Sequence, residues 1–486
     1  LTIGATQVPN LVGGEWRPSV SGRWTNVTNP ADEREIVAQV PAMNADDVAD
    51  AYASAQAGAR GWATTSAVAR GRILLRAGQL LRERLDEIGR DLTREMGKTL
   101  AEARGEVGKS ADFLEYCGGL GRAPQGEVLA DERPGARVWT MHEPVGVVLA
   151  VCPWNDPLLT PARKLGPALI AGNAVVLKPA SYTPLVSLHL AHALADAGLP
   201  PGVLNTVTGP SREIGGALIG NPALGAVSFT GSNEVGEALR RDLSGGSVKL
   251  LAELGGKNAA VVLADADLDQ AAATIAAAAF AQAGQRCTAT SRVLVARAVL
   301  GETLERIADH ARKLVLGPGL DAQTTMGPLV AAEQRQSVSG FIDRALAEGA
   351  ELVAGEEGLD QRLAHGHFCR PALLVARPSM EIWREEVFGP VISVVAIDDV
   401  DEAIAVVNDS PYGLAAGVFT TDLGAALRFI DGVDVGQVAV NLPTSGWDVH
   451  MPFGGFKGSG SGAKEQGLEG LDFYSRTKTV ALAASS

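Results

Sequence analysis

At 486 residues the chain is long for one core, and length alone predicts about two to four domains. A net charge of −14, from 42 Lys and Arg against 56 Asp and Glu, leaves no basic stripe to offset phosphate repulsion and argues against a nucleic-acid partner. No apolar run approaches the ~18–20 residues of a membrane span, and no charged-then-apolar leader opens the sequence, so a soluble, cytoplasmic chain is expected. The four cysteines (Cys117, Cys152, Cys287, Cys369) form no CxxC pair and no zinc spacing, so neither disulfide staples nor a metal is expected.

Residues 44–120 read as helices: Asn44–Ala57 and Ala67–Arg84 carry apolar residues three and four apart, with arginines on the far face. Between 122 and 143 the pattern turns extended around Pro134-Gly135, which predicts a β-hairpin. Short apolar runs at Val145–Val151, Ala174–Leu177, Val203–Val207 and Ala226–Phe229 are each followed by a helix-length stretch, the signature of parallel βαβ units. A second series runs through Ala259–Leu263, Arg292–Val295, Ala372–Val375, Val391–Ile397 and Gly436–Asn441. Two doubly wound α/β units are therefore expected to meet near residue 255. The tail, Leu471–Ala484, alternates again and reads as a strand able to pair with the hairpin.

Candidate chemistry gathers at that junction. Cys287 follows Gly284 and an alanine-rich stretch, Ala271–Ala283, and Glu253 stands in Leu250-Leu-Ala-Glu-Leu-Gly-Gly-Lys257. A soft nucleophile and a separate carboxylate, each beside glycines that admit a substrate, suit two-step acyl chemistry on an aldehyde carbonyl. The strand-end run Val151-Cys-Pro-Trp-Asn155 places a side-chain amide where a doubly wound sheet binds ligands, and a developing oxyanion needs such a donor. Read alone, Asn155 could equally be a helix cap ahead of Pro157. Lys178 ends the next strand within reach of cofactor hydroxyls, and Phe229-Thr-Gly-Ser232 leads into a helix start, an anion site suited to pyrophosphate. No GxGxxG occupies the strand–helix turn. Cys117, Cys152 and Cys369 read as packing or surface thiols.

Taken together, Pro-Trp-Asn, Lys-Pro-Ala-Ser, Phe-Thr-Gly-Ser, Glu-Leu-Gly-Gly-Lys, Gly-Gln-Arg-Cys, Glu385-Glu-Val-Phe-Gly-Pro390 and Pro452-Phe-Gly-Gly-Phe-Lys457 stand in an order and spacing that resembles the aldehyde dehydrogenase superfamily. The resemblance runs from Leu11-Val-Gly-Gly-Glu-Trp16 to Lys478-Thr-Val480. Within the superfamily, Gly-Gln-Arg-Cys-Thr-Ala-Thr, Asn-Leu-Pro-Thr-Ser-Gly and Lys-Glu-Gln-Gly resemble the α-ketoglutarate semialdehyde (2,5-dioxovalerate) dehydrogenase-like group. It implies a Rossmann-like cofactor domain (1–121 and 144–254), a catalytic domain (255–455) and a small β oligomerisation extension (122–143 and 456–486) that joins a homodimer or homotetramer. It also implies NADP or NAD as cofactor and a small aldehyde as substrate. Cys287 is then the nucleophile, Asn155 with the Cys287 amide the oxyanion hole, Glu253 the general base, and Glu465 part of a proton path. Trp154, Lys178, Ser181, Thr230, Gly231, Ser232, Val235, Leu254, Glu386 and Phe388 are the cofactor residues. The glutamate distinguishes this chain from relatives that pass the acyl group to coenzyme A.

Two departures carry information. NAD-preferring relatives often have glutamate where this chain has Ser181, and serine can donate to a 2′-phosphate that a carboxylate would repel, so use of NADP is expected. Relatives commonly line the substrate tunnel with phenylalanine and tryptophan where this chain has Asp156 and Arg163. Asn155, Leu159 and Arg163 are four apart on one helix face, and a guanidinium there suits a substrate with a distal carboxylate. The alternative is an Arg163 that turns outward or pairs with Asp156. Trp447, His450 and Phe453 are expected to frame the tunnel mouth. Competing substrates are neutral aromatic or aliphatic aldehydes and glyceraldehyde 3-phosphate. Competing classes are a non-catalytic protein that keeps the fold and a thiol esterase.

Overall fold

The computed structural model describes residues 6–483, so the last residue of the expected tail strand, Ala484, and the outermost ends of the expected domains lie outside the described residues. An N-terminal layer that the sequence did not announce comes first: strands Thr6–Gln7, Trp24–Asn29 and Asp32–Pro41 form a small sheet, and Asn10–Val12 with Glu15–Arg17 a hairpin. The helical segment follows as α1 (Ala45–Thr64), α2 (Ala67–Glu83), α3 (Leu85–Met96) and α4 (Leu100–Gly119). α1 begins where Asn44 and Asp47 satisfy each other's backbone amides, and α4 where Thr99 and Glu102 do the same. α2 and α4 pack backbone to backbone: a Cβ on Gly71 would lie 2.3 Å from the Gly118 carbonyl oxygen.

The hairpin consists of β1 (Val128–Leu129) and β2 (Ala136–Pro144). Then the expected alternation appears: β3 (Val147–Val151), α5 (Leu159–Ile170), β4 (Ala174–Lys178), α6 (Leu185–Asp196), β5 (Leu204–Thr206), α7 (Ser211–Ile219), β6 (Leu224–Thr230), α8 (Asn233–Leu243) and β7 (Lys249–Glu253). These strands form one parallel sheet in the order β5-β4-β3-β6-β7. Their sequences are unbroken apolar runs because both faces are covered, with α2, α4 and α5 on one side and α1, α7 and α8 on the other. The order reverses between β3 and β6, and the crevice beyond the carboxyl ends of those strands is where such sheets take ligands.

The second sheet has seven strands. β8 (Asn258–Val262), α9 (Leu268–Phe280), β9 (Thr290–Ala296), α10 (Leu300–Arg312) and α11 (Ala332–Ala347) open it. β10 (Glu351–Ala354), β11 (Ala372–Val375), β12 (Val391–Ile397), α12 (Val400–Asn408), β13 (Ala415–Phe419), α13 (Leu423–Gly432) and β14 (Gln437–Val440) complete it. The order is β10-β11-β12-β9-β8-β13-β14, parallel throughout except for the edge strand β10. β7, β10 and β13 are additions to the sequence reading. The fold is thus α/β with two doubly wound sheets. The tail strand β15 (Ser475–Ala483) pairs antiparallel with β2 along its whole length, giving the sheet β15-β2-β1. Lys249 fixes its root, its ammonium donating to the carbonyls of Asp472 (3.3 Å), Phe473 (2.5 Å) and Ser475 (3.0 Å). No described helix is long and apolar enough to cross a membrane.

Because the α2–α4 contact has no room for a methyl, Gly71→Ala will lower the apparent melting temperature, at a cost of about 1–3 kcal/mol or more from overpacking. Gly61→Ala, on α1 where a Cβ meets nothing within 4 Å, will not lower it. Thermal scans of both variants at one scan rate check the contrast.

Candidate active site

A cleft of about 250 Å³ opens between the carboxyl ends of the first sheet and the amino ends of the second, lined by Asn155, Asp156, Arg163, Glu253, Cys287, Glu386, Phe388 and Phe453 among others. Asn155 reaches it from the loop after β3, Glu253 from the end of β7, Arg163 from α5, Cys287 from the loop between α9 and β9, and Glu386 and Phe388 from the loop before β12. The Cys287 loop is held in a costly conformation. α9 stops at Phe280, and Gln282 (φ 52°), Ala283 (φ 54°) and Gly284 (φ 70°) are left-handed in succession. For the two non-glycine residues this costs roughly 1–2 kcal/mol each. Gly284 is obligatory, since a Cβ there would sit 2.1 Å from the Gly389 carbonyl oxygen. Asn258 then fixes the Cys287 backbone, its amide donating to the carbonyls of Cys287 (2.7 Å) and Ala289 (2.9 Å).

Burial pushes the Cys287 thiol up to about 12, with Arg163 the nearest influence pulling it back down. Glu253 is buried, and neither carboxylate oxygen has a hydrogen-bond partner among the described residues. Burial first, and the neighbouring Glu465 second, raise it well above the ordinary carboxylate range, while Lys164, Arg163 and Lys464 oppose the rise. Its seat depends on Gly454, where a Cβ would come within 2.6 Å of Oε1. Glu465 is fully buried, bonded to the Lys164 ammonium and, at 3.2 Å, to Arg163. Lys164 also donates to Ser228 Oγ (3.0 Å), as does the Tyr474 hydroxyl (3.0 Å).

Arg163 neither turns outward nor pairs with Asp156 by a hydrogen bond. It lies in the cleft over the rings of Phe453 (4.9 Å) and Phe113 (5.7 Å) while holding Glu465. Asp156 turns instead to Lys98 (3.2 Å) and Gln282 (3.0 Å). Phe453 lines the cleft, whereas Trp447 and His450 are not among its lining residues. The Trp447 indole N–H is taken by the Thr444 carbonyl at 3.0 Å, and His450 leans toward Asp448 at 3.5 Å.

A second cavity of about 640 Å³ continues from the cleft across Trp154 and Thr230–Ser232, over the ends of β3, β4 and β6. Lys178, Ser181, Tyr182, Arg212, Val235 and Leu239 line it. Ser232 caps α8, accepting from the Val235 amide at 3.4 Å, so the helix presents its positive end to the cavity. Thr230 Oγ1 is buried without a partner. Lys178, which donates to the Pro179 carbonyl (2.6 Å), is brought down to about 8 by burial. Glu386 accepts from the Gly256 amide at 2.9 Å, and burial raises it to about 7. Phe388, at φ 54°, meets Trp154 edge to face at 5.2 Å, and its carbonyl is held by Gln334 at 2.9 Å. Leu254 packs against Gly236 under α8. An orphaned hydroxyl, a helix N-terminus and a cation at one elongated cavity fit a dinucleotide.

Several of these residues escaped sequence reasoning. Lys98, in the link before α4, and Glu106 and Lys164, on α4 and α5, are buried cations and acids at positions that the pattern reads as solvent-facing. Arg212 and Tyr182 carry no motif, and only their position beyond strand ends gives them a place.

The site and fold define an α/β oxidoreductase that works through a thiol. The chain belongs to the aldehyde dehydrogenase family, whose model matches residues 16–480. It is 44% identical over 476 residues, 97% of this chain and 98% of the relative, to an α-ketoglutarate semialdehyde dehydrogenase of Haloferax volcanii. Betaine aldehyde dehydrogenase of Staphylococcus aureus, in complex with NAD+, superposes with a TM-score of 0.94 at 32% identity, covering 97% of this chain and 94% of that one. A 3,6-anhydro-L-galactose dehydrogenase in complex with NADP gives 0.94 at 34%, covering 98% of this chain and 100% of that one.

For the roles expected of them, Cys287 as nucleophile and Glu253 as base, both raised groups must first shed a proton, and the deprotonated forms grow as pH rises. kcat/KM will climb from about pH 6 to about pH 9, by up to about tenfold per unit. A pH–rate profile that is flat over that range contradicts this assignment.

Proposed function

We propose that the protein oxidises an aldehyde bearing a distal carboxylate, of the α-ketoglutarate semialdehyde kind, to the acid, with Cys287 as nucleophile and NADP or NAD as hydride acceptor. The observation that carries this reading is Arg163, the one cation among the described residues that line the cleft of Cys287, held there over the Phe453 ring. The name of the Haloferax relative agrees with it.

The chemistry follows from the side chains. Loss of the thiol proton lets Cys287 Sγ bond the aldehyde carbon, and the oxygen that gains charge is met by the Asn155 amide and the Cys287 backbone N–H. Such a donor is typically worth about 10²–10³ in rate. A bound nicotinamide supplies the acceptor for the hydride that leaves the same carbon. Cys287 is left as a thioester. Glu253, its oxygens free of protein partners, takes a proton from water, and the hydroxide displaces the sulfur as the acid. Glu465 and Lys164 stand behind Glu253 as the route by which that proton leaves. In the second cavity Lys178 and Glu386 would hold ribose hydroxyls, Ser232 and the α8 amides a phosphate, and Trp154, Thr230, Gly231, Val235, Leu254 and Phe388 the walls.

The division into a cofactor-binding part (1–121 and 144–254), a catalytic part (255–455) and a bridging part (122–143 and 456–486) is proposed with this reading. The two sheets and their separate cores support it. We also propose a cytoplasmic homodimer or homotetramer, supported by the exposed outer edge of β15 and the edge strand β14, each of which leaves backbone groups unpaired.

A panel of aldehydes, read by absorbance of the reduced nicotinamide, tests the function. Cys287→Ala will abolish turnover, and Arg163→Met will raise KM for α-ketoglutarate semialdehyde at least about tenfold while changing KM for propanal much less. Equal effects on both remove the carboxylate anchor. Ser181 and Arg212 place a hydroxyl and a guanidinium on the second cavity, which supports NADP. Arg212→Ala will raise KM for NADP well beyond its effect on NAD, and equal changes would count against a 2′-phosphate site there.

A further inference from the structure

The geometry points to Asp156 and Gln282 as positioning residues that lock the oxyanion donor Asn155 and the nucleophile loop into one register, with the first turns of α4 as their anchor. The inference rests on the reading of Cys287 and Asn155 given above.

The two loops come from different sheets: Asn155 follows β3 and Cys287 follows α9. Nothing in either sheet fixes one loop against the other to within the fraction of an ångström that oxyanion catalysis needs. The connection is made by side chains. Gln282, the first of the left-handed residues, donates its Nε2 to Asp156 Oδ1 at 3.0 Å. Asp156 Oδ2 lies 3.5 Å from Asn155 Nδ2. One carboxylate therefore touches both loops.

That contact also settles which way the Asn155 amide faces. An amide nitrogen carries two N–H bonds. With one directed at Asp156, the other is left for the cleft, and the carbonyl end of the amide cannot take its place without setting oxygen against oxygen.

The anchor is the N-terminal end of α4: Lys98 stands just before its Thr99 cap, and Glu102 and Glu106 lie four apart on one face of the helix. Lys98 is completely buried and spends its three N–H bonds on Glu106 Oε2, the Asn155 carbonyl (2.9 Å) and Asp156 Oδ1 (3.2 Å). Glu106 Oε1 accepts from the amides of Leu158 (2.9 Å) and Leu159 (3.0 Å), capping α5, which has no cap of its own. Glu102 Oε1 accepts from the Gln282 amide at 2.7 Å while its other oxygen completes the Thr99 capping box. One helix start thus holds the Asn155 loop with two side chains and the Cys287 loop with the third. The strained turn at Gln282–Gly284 needs such an external hold to persist.

The test separates positioning from general damage by comparing two reactions of the same thiol. Acylation of Cys287 by p-nitrophenyl acetate forms the S–C bond, charges the carbonyl oxygen, and expels p-nitrophenolate. Alkylation by iodoacetamide displaces iodide and forms no oxyanion. In Asp156→Asn, the new side chain offers an N–H where Asn155 needs an acceptor, or gives up the bonds from Lys98 and Gln282. Burst-phase acylation is expected to fall at least about tenfold while alkylation stays within about threefold. Gln282→Met is expected to show the same split, and the double variant to fall no further than the worse single one. Equal loss in both reactions, no loss in either, or single effects that multiply in the double variant would overturn the proposal. Acylation that survives in Cys287→Ala would instead remove the site reading itself, and the proposal with it.

Discussion

Taking Lys98, Glu106, Lys164, Glu253 and Glu465 out of water is the constraint on which the rest of the structure turns, because a buried charge persists only beside a partner or by changing its protonation. Lys98 and Lys164 take the first course, each saturated by carboxylates and neighbouring oxygens. Glu253 takes the second. With no donor among the described residues reaching either oxygen, it is held toward its neutral form, a bareness that suits the base role proposed for it. A hydrogen-bonded Glu253 would be a better-behaved core residue and a weaker base.

Glycine is what makes this density of function sterically possible. Glu253 presses on Gly454, Glu386 on Gly255 with a hypothetical Cβ only 2.2 Å from Oε2, and the Cys287 loop on the backbone of Gly389 through Gly284. At each point a functional side chain or its loop occupies the space that a neighbour's Cβ would fill. The glycines flanking the motifs are therefore parts of the site rather than spacers between its parts.

This explains what the sequence could and could not disclose. Parallel strands covered on both faces are continuous apolar runs, so β3, β4, β9, β11 and β12 stood out, and the thiol and carboxylate beside glycines marked the junction. β13, Ala415-Ala-Gly-Val-Phe419, is paired on both sides within its sheet yet built largely from small residues that carry little hydropathy signal. β7 begins with Lys249 and ends with Glu253, leaving three apolar residues between them. The N-terminal strands are half-exposed and polar on one face, so their alternation was too short to read. Buried lysines were illegible for a different reason. In one dimension Lys98 and Lys164 are ordinary polar positions, and only the folded arrangement brings them to Glu106 and Glu465 from 8 and 301 residues away.

The charge balance of the cleft also bears on which aldehyde it receives. On one wall Arg163 and Lys164 share the single carboxylate of Glu465, which leaves one positive charge in excess. On the other, Lys98 faces Asp156 and Glu106, and burial raises Glu106, so that pair of acids approaches one net negative charge against one positive. Glu253, displaced toward its neutral form, adds little. The uncompensated cation is thus Arg163, whose guanidinium has five N–H donors and commits one hydrogen bond to Glu465. The rings of Phe453 and Phe113 hold its plane in place without consuming a donor. A neutral aldehyde entering here would cover that cation and leave it without an anion, whereas a distal carboxylate would complete it.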